Sequence, residues 1–230
     1  MSKPARNGAT AARLPMQRLI GVIVNSDSHI HYWCQVYGQH EIADPPAPAE
    51  YAFGRFVRVE LPASVPEDGN APLTLMGVIY DTVLVNPAFG SLGPRLSTSD
   101  EQRAIFSPDY LTERATLLRI LALGTVDVTG RHMQHGVPSL ALELGAVLYP
   151  CTDAEVRAFH FFADDGPPGG DKPYLHMGYL PQLIGQPAGL LPQTALRIID
   201  QVQSLFPEHG KLLSIVRRNL AWKLSVETAG

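Results

Sequence analysis

LTLMGVIYDTVLV, residues 73–85, is the stretch that decides how this chain is built. It is rich in β-branched and aromatic residues and reads as one long bent strand, with Gly77 as the bend or close-approach point. Upstream, RFVRVEL (residues 55–61) places Val57, Val59 and Leu61 on one face and Arg58 and Glu60 on the other, the alternation of a half-buried strand. Earlier still, LIGVIVN (residues 19–25) is a β-branched run that ends in the turn residues Ser26, Asp27 and Ser28. Next to it, HIHYWCQV (residues 29–36) alternates His29, His31, Trp33 and Gln35 with Ile30, Tyr32, Cys34 and Val36, and Gly38 closes the run. A Pro-rich loop at Asp44, Pro45 and Pro46 and a turn at Glu67–Asn70 separate these runs. Four strands punctuated by turn signals predict a small, closed or partly closed β-barrel.

Composition sets the outer bounds. A chain of 230 residues with 45% apolar and 17% charged content has enough material for a sizeable core and is not a disordered chain. The net charge of -4 argues against bulk phosphate binding, which calls for a basic excess. Cys34 and Cys151 are the two cysteines, far apart, and read as buried thiols in a reducing compartment rather than as a disulfide framework. The first residues, 1–15, carry scattered Lys3, Arg6 and Arg13 without the apolar stretch of a secretory signal and are expected to form a flexible tail. No run approaches the roughly 18 consecutive apolar residues of a spanning helix. A cytoplasmic protein without a membrane span is the expectation.

Beyond residue 90, LLRILALGTV (residues 117–126) reads as a further strand, although Ser107 and Pro108 offer a cap for a short helix leading into it. Thr152 and Glu155 have the spacing of a capping box, in which each side chain satisfies the other residue's backbone N–H. After Leu191 and Pro192 the apolar period becomes helical. Ala195, Ile198, Ile199, Val202 and Leu205 share one face, and Leu212, Val216, Leu220 and Leu224 share one face of a second segment. Pro207 and Gly210 separate the two, which predicts a helical hairpin.

The runs LIGVIVNS, HIHYWCQV, GRFVRVEL and LMGVIYDTVLV, over about residues 17–90, resemble the HAS-barrel, the small N-terminal β-barrel of HerA-type DNA-translocating ATPases and of rotary ATP synthase catalytic subunits. The stretch VPSLALELGAVLYPCTDAEVRAFH, with Gly145, Val147 and Tyr149 at the matching positions, is similar to the segment that follows the barrel in HerA-type proteins. By that resemblance YLHMGYLP (residues 174–181) would be the next strand and a nucleotide-binding loop would follow. The chain departs there: no G-x-x-x-x-G-K-[ST] motif appears, and the helical segments come instead. The resemblance therefore implies the barrel without the motor.

Candidate chemistry is sparse. The Gly-rich run Gly166–Pro173 has Asp171 between Gly170 and Lys172, a proline where a Ser or Thr would hold magnesium, and prolines in place of amide donors, so it reads as a surface loop. His29 and His31 share a strand face, with Cys34 pointing the other way, and His132 and His135 sit near Gly130 and Gly136 in an expected turn. Local spacing supplies two ligands at most where a metal centre needs three or four. Asp164, Asp165 and Asp171 read as solvated loop carboxylates, and neither a G-x-S-x-G elbow nor a cysteine nucleophile motif is present. No catalytic, metal or cofactor-binding residue is assigned and no cofactor is expected.

Partner binding has more support. Lys211, Arg217, Arg218 and Lys223 surround the apolar stripe of the last helix with Trp222 beside them, and Trp and Arg dominate the energetics of interfaces. The alternative for Trp222 is packing on the preceding helix. The reading divides the chain into a tail (1–15), a HAS-like barrel (16–90), a loop-rich α/β extension (91–190) and a helical hairpin (191–230). In the relatives the barrel is a platform for subunit and partner contacts. The implied function is a non-catalytic assembly module, self-associating or docking onto a separate ATPase or nuclease. Single-stranded nucleic acid stacked on Tyr32, Trp33 and Tyr37 is one alternative; a metal-dependent hydrolase is the other.

Overall fold

A computed structural model describes residues 18–62, 73–86, 115–127, 133–162, 174–185 and 189–227. The tail, the Ser107–Pro108 cap, His132 and the 163–173 loop with its aspartates and glycines lie outside the described residues. In chain order the strands are β1 (Gly21–Ser26), β2 (His31–Val36), β3 (Phe56–Glu60), β4 (Leu73–Val85), β5 (Ala115–Asp127), β6 (Met133–His135) and β7 (Val147–Pro150). Helix α1 (Asp153–His160), the short pair β8 (Phe161–Phe162) and β9 (Tyr174–Leu175), and helices α2 (Leu180–Ile184), α3 (Leu191–Leu205) and α4 (Gly210–Glu227) follow.

The strands run in the order β2-β1-β7-β3-β4-β5, and a further β2–β5 pairing closes the ring into a six-stranded antiparallel barrel. Closure depends on the length of β5: Leu117–Leu121 pair with β2, while Gly124–Val126 pair with β6. Strand β4 pairs with β5 over its whole length, with irregularities at Met76/Gly77 and Ile79/Asp81. Bulges of this kind add the local bend and twist that a long strand needs to wrap a small barrel. Gly77 sits at the first of them, where a Cβ would come within 3.0 Å of the Ile120 side chain. Two of the six barrel strands, β5 and β7, lie beyond residue 90, so the boundary expected there falls inside the barrel. Adjacent strands need not be adjacent in sequence, and β7, far along the chain, bridges β1 and β3.

Alternation sorts β3, β4 and β5 into two cores. Ile23, Cys34, Val57, Val59, Leu75, Ile79, Leu118, Ile120, Ala122 and Leu148 form one buried cluster that fills the barrel. On the opposite face of β3, β4 and β5, Phe56, Met76, Val78, Leu121 and Leu123 join Val156, Phe159, Leu183, Ala195, Ile198, Ile199 and Val202 of the helices in a second cluster. Strand β3 is therefore buried on both faces, a correction to the half-exposed strand expected from Arg58 and Glu60. Arg58 is only 8% exposed, ion-paired to Glu155 at 2.7 Å and to Glu60 at 3.0 Å, with its guanidinium 4.7 Å over the Tyr149 ring. Glu155 also completes the capping box at the start of α1, accepting from the Thr152 backbone N–H at 2.7 Å while Thr152 Oγ1 accepts from the Glu155 N–H. One carboxylate thus fixes both the helix start and the helix-to-barrel contact.

The segment YLHMGYLP is not the continuous strand expected. Only Tyr174–Leu175 pair, with Phe161–Phe162, and Leu180–Ile184 turn helical with Pro181 in the first turn, where its missing N–H has no cost. The hairpin forms as read: α3 and α4 are joined by a 3-10 turn over Pro207–His209 and tied by Arg217 to Asp200 through bonds of 2.5 and 3.2 Å. Among the described residues no helix is long and apolar enough to cross a membrane.

Candidate interaction surface

Helix α4 carries two apolar stripes. Leu213 and Leu220 are 3% and 6% exposed, and Val216 and Leu224 pack against the same core. Leu212, expected on that stripe, is instead 58% exposed; its neighbour Leu213 takes the core position. Successive residues project about 100° apart, so 212 and 213 cannot share a face. The second stripe is made by Leu212, Ile215, Trp222 and Val226, exposed by 58%, 56%, 70% and 52%, with exposed Asn219 in its middle. All five fall within an arc of about 80°. Exposed Lys211, Arg218 and Lys223 border it. Single exposed apolar residues are ordinary, but four aligned on one helix face with a Trp among them make this the candidate contact surface.

The histidines divide into two groups. His31 lies on the outer face of β2, its Nδ1 3.0 Å from the Tyr80 hydroxyl, while His29 Nε2 is 2.8 Å from the Pro138 carbonyl oxygen. They do not converge on a common site. His135 is found in strand β6 rather than a turn, and joins buried His160 and half-buried His176 in a cluster that the sequence does not reveal. His135 Nε2–H donates to the Phe159 carbonyl at 2.7 Å and its Nδ1 accepts from the Gly178 N–H at 3.0 Å. His160 Nδ1–H donates to the Val156 carbonyl at 2.7 Å, and its Nε2 accepts from the Tyr179 hydroxyl at 2.5 Å. His176 stacks on His135 with ring centres 4.5 Å apart. Burial, which disfavours the charged ring, lowers both His135 and His160 to about 4. Both rings are neutral with fixed tautomers and serve as ties between β6, the end of α1 and the approach to α2. Among the described residues no group of three or more His, Cys, Asp or Glu side chains is placed to hold a metal ion.

The thiols are equally inert. Cys34 faces the barrel interior and burial pushes it up to about 12; Cys151 is also buried and raised by the same cause. A thiol held protonated in this way is a poor nucleophile.

The aromatic residues of β2 do not make a stacking platform. Tyr32 is 2% exposed inside the barrel, donating to the His29 carbonyl and accepting from the Leu142 N–H at 3.1 Å. Trp33 lies outside, with its indole N–H donating to Asp27 at 2.9 Å and the Arg119 guanidinium 4.7 Å over its ring. Arg119 also donates to Asp27 at 2.6 Å and lies 5.4 Å over the Tyr80 ring. The Trp33 indole and the Arg119 guanidinium hold the Asp27 carboxyl below its ordinary range. These contacts tie the patch together, while the Arg119 Nε is buried without a hydrogen-bond partner among the described residues. A cleft of about 420 Å³ at the barrel–helix junction is lined by Arg55, Asp153 and Arg197, among others. Beside it, Gln201 donates to the Gly54 carbonyl at 2.6 Å, seating the loop on α3.

No curated protein matches the chain. A family model described as "Domain of unknown function (DUF8166)" matches residues 7–229, nearly the whole length, including all six barrel strands and both helices of the hairpin. A match of that extent makes the barrel and its helical layer one unit of descent, and the chain belongs to the DUF8166 family.

Proposed function

We propose that this protein is a non-catalytic assembly module of the HAS-barrel kind, which docks onto a separately encoded protein, an ATPase or nuclease, through the outer face of α4. The closed six-stranded barrel supports the kinship. One observation carries the docking: α4 buries one apolar stripe in its own fold and presents a second, centred on Ile215 and Trp222, to solvent. A helix that needed only to close the hairpin would be polar on that side. Burying the four exposed side chains on a partner gains on the order of 2 kcal/mol each before the costs of association.

Affinity capture from the native cell with the wild-type chain and with an Ile215→Asp, Trp222→Asp variant tests the reading. The expected result is a stoichiometric partner retained by the first and lost by the second. Recovery of the same partner by both would overturn it.

A further inference from the structure

We infer that the occupant of the outer face of α4 is an amphipathic helix with acidic flanks, packed in heptad register, and not a second copy of this chain. The inference rests on α4 being the docking face and adds the chemistry of what docks. Leu212, Ile215, Asn219, Trp222 and Val226 follow one another at spacings of three, four, three and four residues. These are successive a and d positions of a heptad, the seam into which another helix interdigitates. A strand or an irregular loop offers no matching row of knobs. Asn219 occupies the central a position, where a polar residue fixes the register of a paired helix at some cost in stability. Trp222 at d is larger than the leucine usual there, so the helix facing it needs a small residue opposite.

The flanking charges select the partner. In the same register Lys211 and Arg218 fall at g and Lys223 at e, and no acidic residue occupies an e or g position between 211 and 226. Lys211 and Arg218 have no ion-pair partner among the described residues. A second copy in parallel would set Arg218 against the other Lys223, and in antiparallel it would set g against g and e against e. Both arrangements place like charges together. A helix with Glu or Asp at its own e and g positions turns the same contacts favourable. A lipid surface is disfavoured by Asn219 in the middle of the stripe and by its narrow arc, since interfacial helices present a broad apolar face. The stripe runs for about 21 Å. At a few hundred Å² it is under the area of a standard interface, so weak, charge-assisted affinity is expected.

The test uses the full chain and two labelled three-heptad peptides with Leu or Ile at a and d, Asn at the central a and Ala opposite Trp222. One carries Glu at e and g, the other Lys. Fluorescence anisotropy should show the Glu peptide binding roughly tenfold or more tighter than the Lys peptide, with the difference shrinking in high salt. Ile215→Asp should abolish binding, and Arg218→Glu should narrow or reverse the preference. Neither peptide binding, or both binding equally, overturns the inference. So does a concentration-dependent dimer in light scattering that Ile215→Asp dissolves, or binding to phosphatidylserine vesicles without binding to either peptide. Loss of the cellular partner on Ile215→Asp alongside silent peptides would leave the docking face standing and remove only the acidic helix.

Discussion

Two exposed surfaces of this molecule differ in how far they are finished. On the barrel wall formed by β2, β5 and the upper part of β4, Asp27, Trp33, Arg119, Tyr80 and His31 bond and stack on one another. On the outer face of α4, Leu212, Ile215, Trp222 and Val226 stand in solvent. The wall has consumed its own recognition chemistry in holding itself together. The helix has kept its apolar side chains exposed beside a well-packed core, and the docking proposed above rests on that exposure.

The largest expected effect comes from loosening the core on which the helical layer rests. His135 and His160 lie where β6, α1 and α2 meet, with folded values lowered to about 4 from the ordinary 6.5. As pH falls through this interval the unfolded chain takes up protons at both positions and the folded chain does not. Stability is therefore fully present above about pH 6.5 and declines toward pH 4, by on the order of 3 kcal/mol per ring. Urea unfolding between pH 7 and pH 4 should show this loss, and His160→Phe should flatten part of the slope. A pH-independent midpoint would contradict neutral His135 and His160.

Smaller effects sharpen the comparison itself. Thr152→Ala removes the cap of α1 and should cost about 1 kcal/mol in urea unfolding, since the orphaned N–H groups lose their acceptor. Arg119→Leu opens the finished wall and should cost under about 1 kcal/mol, because the Asp27 pair is partly solvated and screened. Leu212→Ser should change stability by no more than about 0.5 kcal/mol if that side chain belongs to the docking stripe and not to the core. A loss of about 3 kcal/mol there would show that the core face of α4 had been assigned wrongly.

The sequence makes strands legible where one periodicity governs a segment. Residues 73–85 read correctly to the residue because the run is apolar and β-branched almost throughout and is bounded by turn-rich sequence. It makes α4 only half legible, because two apolar stripes overlap on one helix and Leu212 and Leu213 compete for a single core position. Arg58 was hidden for a different reason. Its burial under α1 depends on Glu155, nearly a hundred residues away, and alternation alone cannot tell a covered outer face from a wet one. The histidine cluster is the extreme case: residues 135, 160 and 176 come from three segments, and no local spacing announces that they meet. The bridging of β1 and β3 by the four residues of β7 is likewise a long-range event.

The central claim is that a partner grips α4 and leaves the finished barrel wall alone. Hydroxyl-radical footprinting of the two tryptophans, on the free chain and on the complex captured from cells, tests it most directly. Trp222 should lose most of its reactivity in the complex while Trp33 keeps the level it has in the free chain. Protection of Trp33 with Trp222 unchanged would place the grip on the barrel and contradict the account.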